Sequence, residues 1–287
     1  MKMEMKQLVF NLHLGEGCIW DEDRNKIHFV DIEGFKIYSL EVDHGEIEEY
    51  DAGDYVGCIV LDQEGSIIAA VRNKLLRIDL KSKRAETILT IDQPKYMRFN
   101  DGKCDKFGNL WVGTMAIDQS HPKAVGAGKL YCISKGKIIA EYEGFTISNG
   151  LAWSGDGERF YHIDTKTQKI HVYEVVGPGI IKNKRTLVAI DSEKGSPDGM
   201  CMDSEGRLWV AMWGGSKVNC YDSYTGEKLG EISVPSVHTS CCTFGGESLD
   251  IFYITSAKDE EGNYGGLYEV KVPGVRGVKS YRYVRGN

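Results

Sequence analysis

The chain has 287 residues, 41% of them hydrophobic and 27% charged, with 34 Gly, 15 Tyr and only 6 Pro. That balance excludes a disordered chain, and with no apolar run approaching 18 residues it excludes membrane-spanning helices. The net charge of −7, from 35 Lys and Arg against 42 Asp and Glu, argues against a nucleic-acid groove, which needs a basic face.

Met1 to Leu14 alternates charges with short apolar pieces and holds no run suited to a signal peptide, so a cytosolic protein is expected. Within it KQLVFN, Lys6 to Asn11, reads as a lone strand. From Asp21 a turn followed by an aromatic or aliphatic strand begins to recur: DEDRNKIHFVD, then DQEGSIIAAV from Asp62 and DKFGNLWVGTM from Asp105. The series continues with SGDGERFYHID from Ser154, DSEGRLWVAMW from Asp203 and GGESLDIFYIT from Gly245. These starts are 41, 43, 49, 49 and 42 residues apart. Each turn follows a short apolar run and precedes an alternating hairpin such as FKIYSLEVDHGEIEEYD.

Four strands per unit, six units and no helical period predict an all-β, six-bladed β-propeller forming one domain over residues 1–287. A two-sheet sandwich needs no such regular period. A propeller leaves unpaired edges unless its ring closes, so KQLVFN is expected to join the last blade beside GLYEVKV or SYRYV. The eight Cys lie in apolar strand-like runs without any C-x-x-C, which predicts buried free thiols.

The first strand of each blade lines the central channel of a propeller. Five residues before each turn start stand Glu16, Gly57, Asn100, Asn149, Asp198 and, in the sixth unit, Ser240 or a neighbour. Side chains at one repeat offset point at one place on the axis. Oxygen donors converging there suit a hard divalent cation, Ca²⁺, Mg²⁺, Mn²⁺ or Zn²⁺. Two carboxylates about 5 Å apart would otherwise repel by about 3 kcal/mol at an effective dielectric of 20. The competing reading is that Asn and Asp only satisfy hydrogen bonds at strand ends.

Arg98 lies two residues before Asn100, on the same strand face, where its donors can hold a carbonyl, a hydroxyl or an oxyanion; a salt bridge is the plainer role. The stretch AIDQSHPKAVGAG, residues 116–128, is long for a hairpin connection and carries Asp118, which makes it a candidate lid. His238 opens the last inner strand and reads as a structural histidine before a proton shuttle.

LGEGCIWDEDRNKIHFVDI, RFNDGKCDKFGNLWVGTM, SNGLAWSGDGERFYHIDT, SPDGMCMDSEGRLWVAMWGG and CCTFGG together resemble the hallmark segments of the senescence marker protein/regucalcin/gluconolactonase family. The resemblance runs through the whole chain in order. It implies a six-bladed propeller that binds one divalent cation in its channel and hydrolyses a sugar lactone. Carried over by segment, it makes Glu16, Asn149 and Asp198 the metal ligands and Arg98 and Asn100 substrate contacts. Asp118 falls where regucalcin-like members have a Glu that reaches sugar hydroxyls. Asp198 is then the expected general base, and the expected partner is a small sugar lactone bound by a monomer, with no nucleic acid or membrane.

Other catalytic schemes lack their residues. There is no G-x-S-x-G and no H-E-x-x-H, and the EF-hand-like DEDRNKIHFVDI has Lys26 at the Gly position and Ile32 at the closing Glu position. The alternatives are an aryl-ester or organophosphate hydrolase on the same scaffold, and a non-catalytic calcium-binding regulator.

Overall fold

The computed structural model describes residues 4–286 and is built from six four-stranded antiparallel sheets, the blades of the predicted six-bladed propeller. The inner strands are Gly15–Asp21, Val56–Leu61, Met97–Cys104, Ser148–Trp153, Ser196–Met202 and His238–Gly245. Each touches the inner strand of the next blade, and the last touches the first, so the ring is closed. The closing strand is Met5–Leu12, which pairs with Gly265–Lys271, with Met5 opposite Val270 and Lys6 opposite Glu269. Of the two expected partners, GLYEVKV is therefore the one used.

The recurrent turn Asp has a structural cause. Asp105 Oδ1 accepts the N–H groups of Phe107 and Asn109, both at 2.9 Å, while Oδ2 accepts Asn109 Nδ2 and, at 2.8 Å, Trp111 Nε1. Asp203 repeats the arrangement with Glu205, Arg207 and Trp209. Each carboxylate closes a turn and anchors the Trp of the following strand, which then packs between blades. The core consists of such interfaces: Cys58, Val60, Phe99 and Val112 join the second and third blades, and Tyr161, Val172, Met200 and Val210 the fourth and fifth. Burying each large side chain contributes roughly 1.5–3 kcal/mol. All eight Cys are buried and free.

SYRYV forms no part of the closing blade. Residues 276–285 run instead across the end of the propeller that carries the turn Asp residues. Ser204 N–H donates to Arg276 O (2.8 Å), Gly277 N–H to Leu249 O (2.7 Å), Tyr283 N–H to Leu61 O (2.8 Å) and Val284 N–H to Gly108 O (2.9 Å). Arg282 meets Asp21, Glu22 and Asp23, and Arg285 meets Asp62 and Glu64. At this end Val278, Lys279, Ser280 and Tyr281 of the strap line a cavity together with inner-strand residues such as Gly17, Asp101 and Cys241. The mouth lies at the opposite end, where inner strands begin.

Every inner strand also carries a register shift against its neighbour, between Glu16 and Ile19, Val56 and Cys58, Phe99 and Gly102, Asn149 and Leu151, Pro197 and Met200, and Thr239 and Cys241. The offset that the repeat singled out is thus a ring of β-bulges. A bulge breaks the strict alternation of side chains and re-aims those beside it.

In the fourth blade His162 lies opposite His171 and binds Ser148 Oγ at 2.8 Å. Burial pushes His162 down to about 3 and His171 down to about 4, so both are neutral in the fold. Unfolded His titrates near 6.5, so this stability is full above that pH and is lost as pH falls toward the folded value. For fully buried His162 the loss is about 3 kcal/mol by pH 4.5. The urea midpoint of the wild type is expected to drop further between pH 7 and pH 4.5 than that of His162→Gln. Equal drops would show that His162 is not the group responsible.

Candidate active site and cation centre

Five of the residues singled out by sequence meet at the mouth end of the channel, and all are buried: Glu16, Arg98, Asn100, Asn149 and Asp198. Arg98 Nη1 donates to Asn100 Oδ1 at 2.7 Å and to Phe99 O at 2.9 Å, which leaves Nε and Nη2 without a protein partner among the described residues. Asn100 Nδ2 donates to Ser148 O at 3.0 Å, tying the third blade to the residue beside Asn149. Asn149 Nδ2 donates to Asp198 Oδ1 and, at 3.2 Å, to Thr165 Oγ1. Glu16 Oε2 accepts the Gly17 N–H at 3.0 Å.

The electrostatics are those of a crowded acidic pocket. Burial pushes the Glu16 carboxyl well above its usual range, and the charge of Asp198 pushes it further. Asp198 is raised by burial and by Asp101, against the opposing pull of the Asn149 amide and Arg98. Burial pushes the Arg98 guanidinium down to about 10, with Glu16 drawing it back, so it stays charged at neutral pH.

These residues fit a hard divalent cation. Asn149 Oδ1 is buried and has no hydrogen-bond partner among the described residues. A bare buried amide oxygen beside two carboxylates is the kind of hard oxygen donor set that a divalent cation takes. Among the described residues no three His, Cys, Asp or Glu side chains are grouped so that they could hold a metal ion.

Of the other ring positions, Gly57 has no side chain, and a Cβ there would lie 2.4 Å from Phe99 O. Ser240 Oγ is spent on Gly15 O and on Thr255 Oγ1 at 3.0 Å, stitching the sixth blade to the first. Asp118 is exposed on the 117–127 connection, and its Oδ1 accepts the N–H and hydroxyl of Ser120 at 2.8 and 2.7 Å. That connection is fastened by Ala124, buried against Met97 and Ala116, and by His121 stacked on Tyr96 at 4.1 Å. His238 stacks on Trp213 at 4.2 Å and meets Glu260 at 3.1 Å.

Sequence reading passed over three residues. Asp101 follows Asn100, which in a regular strand turns it to the opposite face. The bulge puts it in the channel wall, buried, with Oδ2 partnerless. Lys103, which opposes the raising of Asp101, donates to Met200 O. Thr165 lies outside the inner strands that the repeat offset searched.

A sequence profile of the SMP-30/Gluconolactonase/LRE-like region matches residues 14–258. Regucalcin of Bos taurus is 32% identical over 286 residues, covering 95% of each chain, and regucalcin of Danio rerio 31% over 279 residues, covering 94% of each. Among solved structures, a luciferin-regenerating enzyme matches with a TM-score of 0.92 at 28% identity, over 98% of this chain and 99% of that one. Regucalcin of Agrobacterium tumefaciens str. C58, described as a calcium-binding protein, matches in fold with a TM-score of 0.91 at 23% identity, over 98% of each chain. With a profile that spans most of the propeller and full-length relatives above 30% identity, this chain belongs to the SMP-30/gluconolactonase/LRE-like family.

Proposed function

We propose that this protein hydrolyses a sugar lactone, an aldonolactone such as gluconolactone, to its aldonic acid, using a divalent cation held by Glu16, Asn149 and Asp198. The observation that carries the reading is the bare, buried Asn149 Oδ1 beside two carboxylates of raised pKa, with Arg98 a few bonds away. When bound, such a cation polarises a carbonyl and lowers the pKa of water from about 15.7 toward about 7.

The chain's own residues do the rest. Asp198 takes the proton of the attacking water at Oδ2, the oxygen that Asn149 leaves free. Arg98 offers Nε and Nη2 to the carbonyl oxygen as it becomes an oxyanion, while Nη1 stays fixed on Asn100 and Phe99. Asn100 holds that guanidinium in place, and Asp118, on the exposed 117–127 connection, is assigned a contact with a sugar hydroxyl. The ring C–O bond breaks, the alkoxide takes up a proton, and the product acid ionises, releasing one proton per turnover. Lactone and water are taken to enter from the mouth, the end that Glu16, Asn149 and Asp198 face. We place the protein in the cytoplasm as a single-domain monomer. Eight buried free thiols suit a reducing compartment.

The relatives named regucalcin, one of them described as calcium-binding, favour one second reading, a cation-binding protein without turnover. Proton release from a panel of aldonolactones, an aryl ester and an organophosphate separates the cases. Acid release from one sugar lactone, above its spontaneous rate, is expected. Turnover confined to the ester or organophosphate would replace the sugar-lactone reading, and no turnover on any substrate would favour the second.

A further inference from the structure

Asn149 offers a cation its oxygen only if its amide is turned one way, and the two orientations of a carboxamide have nearly the same shape. The group that decides between them is Thr165. Its hydroxyl donates to Pro197 O at 2.9 Å, so its single proton is already committed. Toward Asn149 the Thr165 oxygen can therefore only accept, and it receives Nδ2 at 3.2 Å. The same Nδ2 group donates to Asp198 Oδ1, so both hydrogens of the amide are placed and Oδ1 is left without a hydrogen-bond partner among the described residues. With the amide reversed, Oδ1 would confront an acceptor-only hydroxyl and a carboxylate.

Thr165 is itself held in place. Its N–H donates to Ile147 O at 3.1 Å, and Asp164 just before it accepts the N–H groups of Thr146 and Ile147 at 3.1 and 3.0 Å. Its hydroxyl thus runs from the blade that carries Asn149 to Pro197, the neighbour of Asp198 on the next blade. We propose that Thr165 is a positioning residue that sets the orientation of the Asn149 amide and its spacing from Asp198, and so fixes the affinity of the centre for a divalent cation. This rests on the reading of Asn149 and Asp198 as cation ligands given above.

The test is calorimetric titration of Mn²⁺ into EDTA-stripped full-length protein. Thr165→Val keeps the shape but removes both hydrogen bonds, and it is expected to weaken Mn²⁺ binding about 10–100-fold, the usual effect of losing a group that orients a ligand. Thr165→Ser keeps the hydroxyl and should stay within about threefold of the wild type. In an Asn149→Asp background both terminal atoms are oxygens, so there is no orientation left to set, and adding Thr165→Val should change affinity by less than about threefold.

Wild-type Mn²⁺ affinity in Thr165→Val overturns the proposal, as does a Thr165→Ser variant that loses as much as Thr165→Val. The same large loss in both backgrounds also overturns it, since that marks a packing effect. Failure of the wild type itself to bind Mn²⁺ refutes the cation-centre reading, and this proposal with it, a result distinct from the other three.

Discussion

On the proposed mechanism, Asp198→Asn is expected to lower kcat for lactone hydrolysis by about 10²–10⁴-fold, the range a positioned general base supplies, and to leave the propeller folded. The substitution keeps the shape of the side chain and replaces a buried carboxylate with a neutral amide. Its effect on cation-free stability has a definite sign. Asp198 and Glu16 have folded pKa values above their usual ones, so the folded chain holds those protons more tightly than the unfolded chain. Stability from this source is therefore lost as pH rises from the unfolded value near 4 through the folded value. The EDTA-stripped wild type carries that cost at pH 8, and Asp198→Asn removes its share. The Tm of the cation-free variant at pH 8 should match or exceed that of the wild type, while at pH 5 the difference shrinks. Proton-release rates and scanning fluorimetry measure the two effects. A variant with wild-type kcat would take Asp198 out of the mechanism.

The second large effect falls on a residue with no side chain. In Gly57→Ala the new methyl would meet Phe99 O at 2.4 Å, Phe99 C at 2.6 Å and Asn100 O at 2.8 Å. All three are backbone atoms of the strand that carries Arg98 and Asn100, so no rotamer change relieves the contact. Overpacking of this kind costs about 1–3 kcal/mol, and because the next blade's strand must move, the cost should lie at or above the upper end. The displacement reaches Arg98 and Asn100 directly. A shift near 1 Å in such groups costs about 10²-fold in rate. Gly57→Ala is thus expected to lower both Tm and kcat although position 57 contributes no functional group. A variant with unchanged Tm and activity would mean that the second and third blades can separate freely, contrary to the closed ring.

The sequence exposed the propeller because its turn Asp is a local device. A carboxylate that accepts N–H groups two and four residues on, as Asp105 and Asp203 do, leaves the same short signature in several blades. Counting back from it reached Glu16, Asn100, Asn149 and Asp198, since equal offsets in equivalent strands lead to the same height in the channel. The bulges were not legible, because they arise from how each inner strand pairs with its neighbour. For that reason Asp101, buried in the channel wall, was not singled out. The roles of Gly57 and Ser240 come from contacts with adjacent blades, to Phe99 O and Gly15 O, across sequence separations that no local pattern reports. Thr165 and the strap depend likewise on long-range hydrogen bonds. SYRYV has the alternation of a strand, yet its Tyr283 is buried at the propeller base, its hydroxyl accepting the Gly136 N–H at 2.6 Å.

On the proposed function, one cation at Glu16, Asn149 and Asp198 is required for lactone hydrolysis. The most direct measurement titrates Mn²⁺ into EDTA-stripped protein and follows ion binding and acid release from gluconolactone in the same samples. Binding and rate should rise together and saturate at one ion per chain. Full turnover in the stripped protein, or full occupancy with no turnover on any aldonolactone, would contradict it.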